Sequence, residues 1–177
     1  MTKEQHNHQI VYDEVTDNIH ELGLDYIYIL KQNMNIKSED LIDGIEFNFN
    51  WCGKDNIVCE RQHISVTNVK ACKMHIVGFS YWGDANEIFQ IVYENGEIEY
   101  INISFIDWAH KAERYGAISS LKDNINTARQ IISSGAKIHL IFFHHSVLSI
   151  NNRRKEIKEI ILPDNFLIHI FAITLEM

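Results

Sequence analysis

Two short segments set an indole beside groups that accept hydrogen bonds. One is Tyr81-Trp82-Gly83-Asp84-Ala85-Asn86 and the other is Asp107-Trp108-Ala109-His110. An indole stacks on the apolar face of a sugar ring, and a neighbouring carboxylate or amide takes the hydroxyl hydrogen bonds. Trp82, Asp84, Asn86, Asp107, Trp108 and His110 are therefore the candidate ligand-binding residues. The competing use of the tryptophans, Trp51 included, is to fill a hydrophobic core. Asp84 and Asp107 would form a glycosidase pair only if the fold set their carboxyls about 5–9.5 Å apart. Nothing in the sequence fixes that distance, so no catalytic residue is assigned and the chain is read as a non-enzyme.

Other chemistries lack their residues. The eight glycines are scattered, and neither GxGxxG nor GxxxxGK[ST] occurs. His20-Glu21-Leu22 is not followed by the second histidine of a zinc protease, and there is no GxSxG elbow. Three cysteines, Cys52, Cys59 and Cys72, make no even disulfide framework and no four-ligand zinc set. They read as free thiols. His139 and His145 would share one face of a strand but stand about 20 Å apart, too far for a common metal. With His144 they read as structural or rim residues. Oxygen-rich loops would suit a structural calcium ion, but no Asp-rich spacing marks one, so no cofactor is assigned.

Composition narrows the partners. The 177 residues are 46% hydrophobic and carry a net charge of −8. That is enough apolar material for one packed domain. The negative charge argues against nucleic acid and against an anionic membrane surface. No apolar run reaches the roughly 18–20 residues that span a bilayer. The polar start, Met1 to Gln9, lacks the apolar stretch of a secretory signal, which points to the cytoplasm.

The elements that must position these residues are mostly strands. Asn95-Gly96 lies between two β-rich runs and predicts a hairpin with a type I′ turn. That turn would pair Tyr93 with Ile98, Ile91 with Tyr100 and Phe89 with Asn102 on one face, and would set Glu94 opposite Glu97. Ile45 to Trp51 alternates apolar and polar, as a half-buried strand does. Lys73–Phe79, Ile138–Phe143, Glu156–Leu162 and Phe166–Leu175 are further strands, the second and the last apolar on both faces. Asp17–Lys31 and Ser119–Ile132 have helical spacing. Regular short strands outnumber them, which predicts an all-β sandwich with at most one or two short helices. Residues 1–9 read as a flexible tail and 10–177 as a single domain.

The order of motifs carries a resemblance. It runs Ile45-x-Phe47-x-Phe49-x-Trp51, Asp55-Asn56-Ile57-Val58, Gly78-Phe79-Ser80-Tyr81-Trp82-Gly83-Asp84 and Val92-Tyr93-Glu94-Asn95-Gly96. Then come Ile103-Ser104-Phe105-Ile106-Asp107-Trp108, Lys155-x-Ile157-x-x-Ile160-x-Leu162-Pro163 and His169-Ile170-Phe171-Ala172-Ile173-Thr174-Leu175. This resembles the galactose-binding-like β-sandwich modules attached to bacterial glycoside hydrolases such as α-mannosidases. The resemblance implies a jelly roll, a non-catalytic carbohydrate-binding role and an extracellular setting. The family's glycine-rich front segment is replaced here by Leu22-Gly23-Leu24-Asp25. The expected function is thus weak sugar binding through loop aromatics and carboxylates. The alternative is a structural or protein-interaction sandwich, docking another protein or a second copy, that has lost the sugar site.

Overall fold

A computed structural model describes residues 11–12, 29–30, 37–51, 53–107, 125–133 and 139–177. Among these residues there are thirteen strands: β1 (Val11–Tyr12), β2 (Ile29–Leu30), β3 (Glu39–Ile42), β4 (Ile45–Asn48), β5 (Ile57–Glu60), β6 (His63–Val69), β7 (Lys73–Ser80), β8 (Ala85–Tyr93), β9 (Ile98–Phe105), β10 (Ile125–Ser133), β11 (His139–Ser149), β12 (Ile157–Ile161) and β13 (Asp164–Glu176). Among the described residues there is no helix. Trp108, His110, Cys52, residues 1–9 and residues 13–28 lie outside the described set.

Two sheets form the sandwich. One has the order β10-β11-β7-β13-β5 and the other β6-β12-β8-β9. From β5 onward the chain crosses repeatedly between them, which is the connectivity of a jelly roll. The expected fold class is therefore found. Between the sheets lies a core built from Met74 and Ile76 of β7, Phe89 and Ile91 of β8, Ile103 and Phe105 of β9, Ile160 of β12 and Ile168 and Ile170 of β13.

A second core lies on the other side of the five-stranded sheet. Val77 and Phe79 of β7 and Phe171 of β13 pack there against Phe47, Phe49 and Trp51. These last three belong to β4 and the chain just after it, and the β3–β4 hairpin covers that face. This is why β7 and β13 are apolar on both faces. A register shift between Ile170 and Ala172 lets Phe171 and Ala172, consecutive in sequence, join the same core. The Phe143 and Phe171 rings meet at 4.4 Å and 61°, an edge-to-face contact.

Three local expectations are corrected. The Asn95-Gly96 turn is not type I′. Gly96 N donates to Tyr93 O and Tyr93 N donates to Glu97 O, and of the turn residues only Gly96 has a positive φ, 83°. That is a three-residue loop, a type I turn with a glycine bulge. The extra residue moves the register by one: Val92 pairs with Ile98, Gln90 with Tyr100 and Ile88 with Asn102. A one-residue shift turns every side chain over. Ile98 and Tyr100 are exposed, while Glu99, Ile101, Ile103 and Phe105 are buried. At the tip, Glu97 forms an ion pair with Lys155 instead of facing Glu94. The type I′ hairpin is instead Asp43-Gly44, with φ of 51° and 80° and Ile42 paired to Ile45.

The third correction is the helix expected over Ser119–Ile132. Its described part is β10, antiparallel to β11 over Ile125–Ser133. Ile125, Thr127, Ile131 and Ile132 are β-branched, and pairing with a long neighbouring strand outweighs a marginal helical period. Ile29–Leu30, inside the other expected helix, is likewise a strand.

Candidate functional site

The structure brings together four of the six sequence-derived site residues. Asp84 and Asn86 lie at the start of β8, Trp82 three residues before that strand, and Asp107 just after β9. Trp108 and His110 continue from Asp107 but lie outside the described residues. Ser80 and Asp107 form a parallel bridge that fixes the two loops side by side.

The two carboxylates are used on the backbone of this corner. Asp107 N donates to Asp84 Oδ1 at 2.9 Å. Gly83 N donates to Asp107 Oδ2 in a short hydrogen bond. Ser80 N donates to Ile106 O at 2.8 Å and Tyr81 N to Leu167 O at 2.7 Å. Each carboxylate thus stands in for a strand partner where the sheet ends. Asn86 is also engaged, accepting the Ser104 hydroxyl at 2.6 Å.

These bonds hold Trp82 in an unusual conformation. Its φ is 66°, in the left-handed region, and Gly83 follows at 119°. A bulky residue there costs about 1–3 kcal/mol and persists only where its surroundings impose it. The consequence is display: the Trp82 side chain is 82% exposed. Tyr81 lies against it, with ring centroids 5.9 Å apart and planes 24° from parallel. Of the tryptophans read from the sequence, Trp51 is a core residue and Trp82 is not.

Beyond this corner, the outer face of β8 and β9 carries a row of apolar side chains. Ile88, Ile98 and Tyr100 are exposed at 48%, 46% and 63%. The row is a direct result of the shifted register. A shallow concavity at its Trp82 end is lined by Asn86, Ile88, Asn102 and Ser104.

Sequence reasoning missed three buried polar clusters. Asn56 Nδ2 donates to Asp55 Oδ1 at 2.7 Å, and His169 Nδ1 lies 3.0 Å from Asn56 Oδ1. Since that oxygen only accepts, His169 carries its proton on Nδ1. Behind Tyr81, whose ring is 6.2 Å away, this cluster backs the displayed aromatic pair. The second cluster is centred on Glu99. Its carboxylate accepts from the Tyr93 hydroxyl at 2.6 Å and from backbone and side-chain N–H groups of Asn151 and Asn152. Burial works against its charge, but these donors outweigh it and hold the carboxyl below the usual carboxylate range. Burial and the Glu99 charge together push the Tyr93 phenol well above its ordinary value. The third cluster joins His75 to His145, His75 to Glu176 and His145 to Asp43. Each cluster joins residues far apart in sequence, and only the odd polar residue in an apolar strand, such as His75, hinted at it.

Among the described residues no group of three or more His, Cys, Asp or Glu side chains converges as a metal site. No described helix is long and apolar enough to cross a membrane. The thiols of Cys59 and Cys72 are free.

Fold and site together define a jelly-roll β-sandwich that displays a loop aromatic. Residues 35–177 match the AziU2-like beta-sandwich domain, and the chain belongs to that family. No curated protein matches it. The family description carries the sandwich part of the resemblance drawn from sequence and does not extend to sugars or glycoside hydrolases.

Proposed function

We propose that this chain is a non-catalytic binding module that docks another protein through Trp82 and the adjoining outer face of β8–β9. The observation that carries this reading is Trp82: a strained backbone, pinned by Asp84 and Asp107, holds a large aromatic in solvent. Rigid exposed aromatics bind at low entropic cost and are the residues that dominate protein interfaces. Ile88, Ile98 and Tyr100 extend the contact along the sheet.

A carbohydrate reading has one observation in its favour. The near-parallel Tyr81–Trp82 pair offers a flat apolar platform of the kind a sugar ring covers. Such a site would bind weakly, at about 10⁻⁵–10⁻³ M.

The test places a benzophenone amino acid at position 82, and separately at exposed Glu60 on the other sheet, in cells that make the protein. A discrete protein adduct from position 82, lost when Ile98→Lys is added, is the expected result. Equal labelling from both positions, or none, refutes protein docking. A saturable tryptophan-fluorescence change with one sugar class, absent in Trp82→Ala, establishes the carbohydrate reading instead.

A further inference from the structure

Two buried imidazoles beneath the β3–β4 hairpin meet head to head. His75 projects from β7 and His145 from β11, with side chains 4% and 2% exposed. His75 Nδ1 and His145 Nε2 are 3.0 Å apart. The ring centroids are 5.3 Å apart, little more than that distance plus the two ring radii, so the rings lie end to end. The outer nitrogen of each ring meets a carboxylate. His145 Nδ1 is 2.8 Å from Asp43 Oδ2, and His75 Nε2 is 2.9 Å from Glu176 Oε2. These carboxylates are about one-third exposed, at 33% and 35%.

Asp43, His145, His75 and Glu176 are linked by three hydrogen bonds in series. Each bond needs one proton, and two neutral imidazoles bring one proton each. With only two, one of the three contacts would set lone pair against lone pair, either nitrogen against nitrogen at 3.0 Å or ring nitrogen against a carboxylate oxygen at 2.8 or 2.9 Å. With a fourth, two N–H groups would collide and two cations would share a buried site.

We infer that His75 and His145 hold one shared proton as an imidazole–imidazolium pair, and that the Asp43–His145–His75–Glu176 relay is a pH-sensitive latch fastening the β3–β4 hairpin to the end of β13. Asp43 sits in the turn of that hairpin, and the hairpin seals the core around Phe47, Phe79, Phe143 and Phe171. The other described charged or titratable groups at the relay lie at its β13 end. Lys73 Nζ lies 3.1 Å from both Glu176 oxygens, and Cys72 Sγ is 3.8 Å from Oε1. The Phe47 ring closes the His145 side edge-on at 5.3 Å. Thr127 of β10 is the strand partner of His145, and Thr174 of β13 that of His75.

The direction with pH follows. Burial first, and the neighbouring His145 charge, pull the His75 pKa below the ordinary histidine value, against the Glu176 hydrogen bond. The folded pair therefore refuses a second proton that the unfolded chain accepts. Stability is therefore greatest near the ordinary histidine value: it is lost as pH falls below it, where the unfolded chain binds the second proton, and also as pH rises through the folded pKa of the shared proton, which the unfolded chain has by then released. Hydrogen bonds from His75 and Lys73 hold the Glu176 carboxyl low, so its own contribution disappears at still lower pH, in the same direction.

The experiment is nitrogen-detected NMR of the histidine rings in the full chain across pH 4–9, with amide hydrogen exchange of residues 39–48. Expected at pH 7 are three protons over the four ring nitrogens. Expected on acidification is a loss of protection, tenfold or more after correction for intrinsic exchange, in β3–β4 before β8–β9. Asp43→Asn and Glu176→Gln change partly exposed groups and leave both rings in place. Each should release the shared proton about one pH unit lower than the parent chain, because a carboxylate that favoured the charge is gone. Two neutral rings at pH 7, or an Asp43→Asn titration identical to the parent's, overturns the shared proton. Equal protection of β3–β4 at about pH 6.5, the ordinary histidine value, and at pH 5 overturns the latch.

Discussion

Replacing Glu99 by glutamine removes one charge and almost no volume, so it isolates what the buried carboxylate does. Oε1 accepts from Asn151 N and Nδ2, each at 2.9 Å. Oε2 accepts from the Tyr93 hydroxyl at 2.6 Å and from Asn152 N and Nδ2 at 3.3 and 3.1 Å. Glutamine keeps one oxygen and turns an N–H₂ group toward the other set of donors. The cheaper choice leaves its oxygen with Tyr93 and Asn152, and faces Asn151 with a donor. Asn151 is exposed, so its side chain can turn to water. Its part-buried backbone N–H is fixed by the chain and is left facing a donor, at a cost of about 1–3 kcal/mol if it stays unpaired. The weakened bonds at Oε2 add to that, because a charged acceptor binds about twice as strongly as a neutral one. The expected total is about 2–4 kcal/mol by urea unfolding at pH 7. The acid limb gives a second reading. The folded carboxyl titrates below its unfolded value, so its stabilisation is present above the ordinary glutamate range and is lost as pH falls through the folded pKa. Glu99→Gln lacks that loss, and its deficit relative to the parent chain should shrink toward pH 3. A variant within 0.5 kcal/mol of the parent at pH 7, or a deficit that does not change with pH, refutes the account of this cluster.

Two further substitutions test the backbone. A Cβ at Gly78 would lie 2.5 Å from His169 O, on a neighbouring central strand that cannot retreat. Gly78→Ala should therefore cost about 2–4 kcal/mol in chemical denaturation, and a neutral result would mean that β7 and β13 are less closely paired than described. Gly96 has a φ of 83° with open space around its Cβ position, so Gly96→Ala should cost only the left-handed penalty, about 1 kcal/mol. A stabilised Gly96→Ala chain would contradict the bulged turn.

The sandwich was legible because its strands announce themselves over short distances. Ile45 to Trp51 alternates, and all four apolar members are wholly or partly buried. The last strand reads as apolar on both faces and is buried on both. What failed was decided by single residues or by partners distant in the chain. Asn-Gly named the β8–β9 hairpin, yet whether two or three residues make its loop is settled only when Phe89, Ile101, Ile103 and Phe105 compete for the core. That one-residue ambiguity hid both Glu99 and the exposed Ile98–Tyr100 row. Asp43-Gly44 carried the same hairpin signal and was legible in principle. The loop reading of Trp82, Asp84, Asn86 and Asp107 found residues that the fold places at one corner, and there the two aspartates also accept hydrogen bonds from the backbone. The His75–His145 relay joins three strands and a turn, and no spacing in the sequence announces such a meeting.

The order of the five-stranded sheet also bears on how the chain comes together. Among the described strands β5 has one neighbour in that sheet, β13, and Ile57 finds its partner in Ile170. Until that distant segment is made, β5 is a strand without a ladder, and the Phe79 side of β7 lacks Phe171. Local hairpins such as β8–β9 can close early, but the central seam closes only by joining remote ends, which is slow. During that interval the Ile57 and Phe79 segments are open to pairing with other chains. The yield of folded protein should therefore depend more on dilution and chaperone supply during synthesis than on the stability of the finished sandwich.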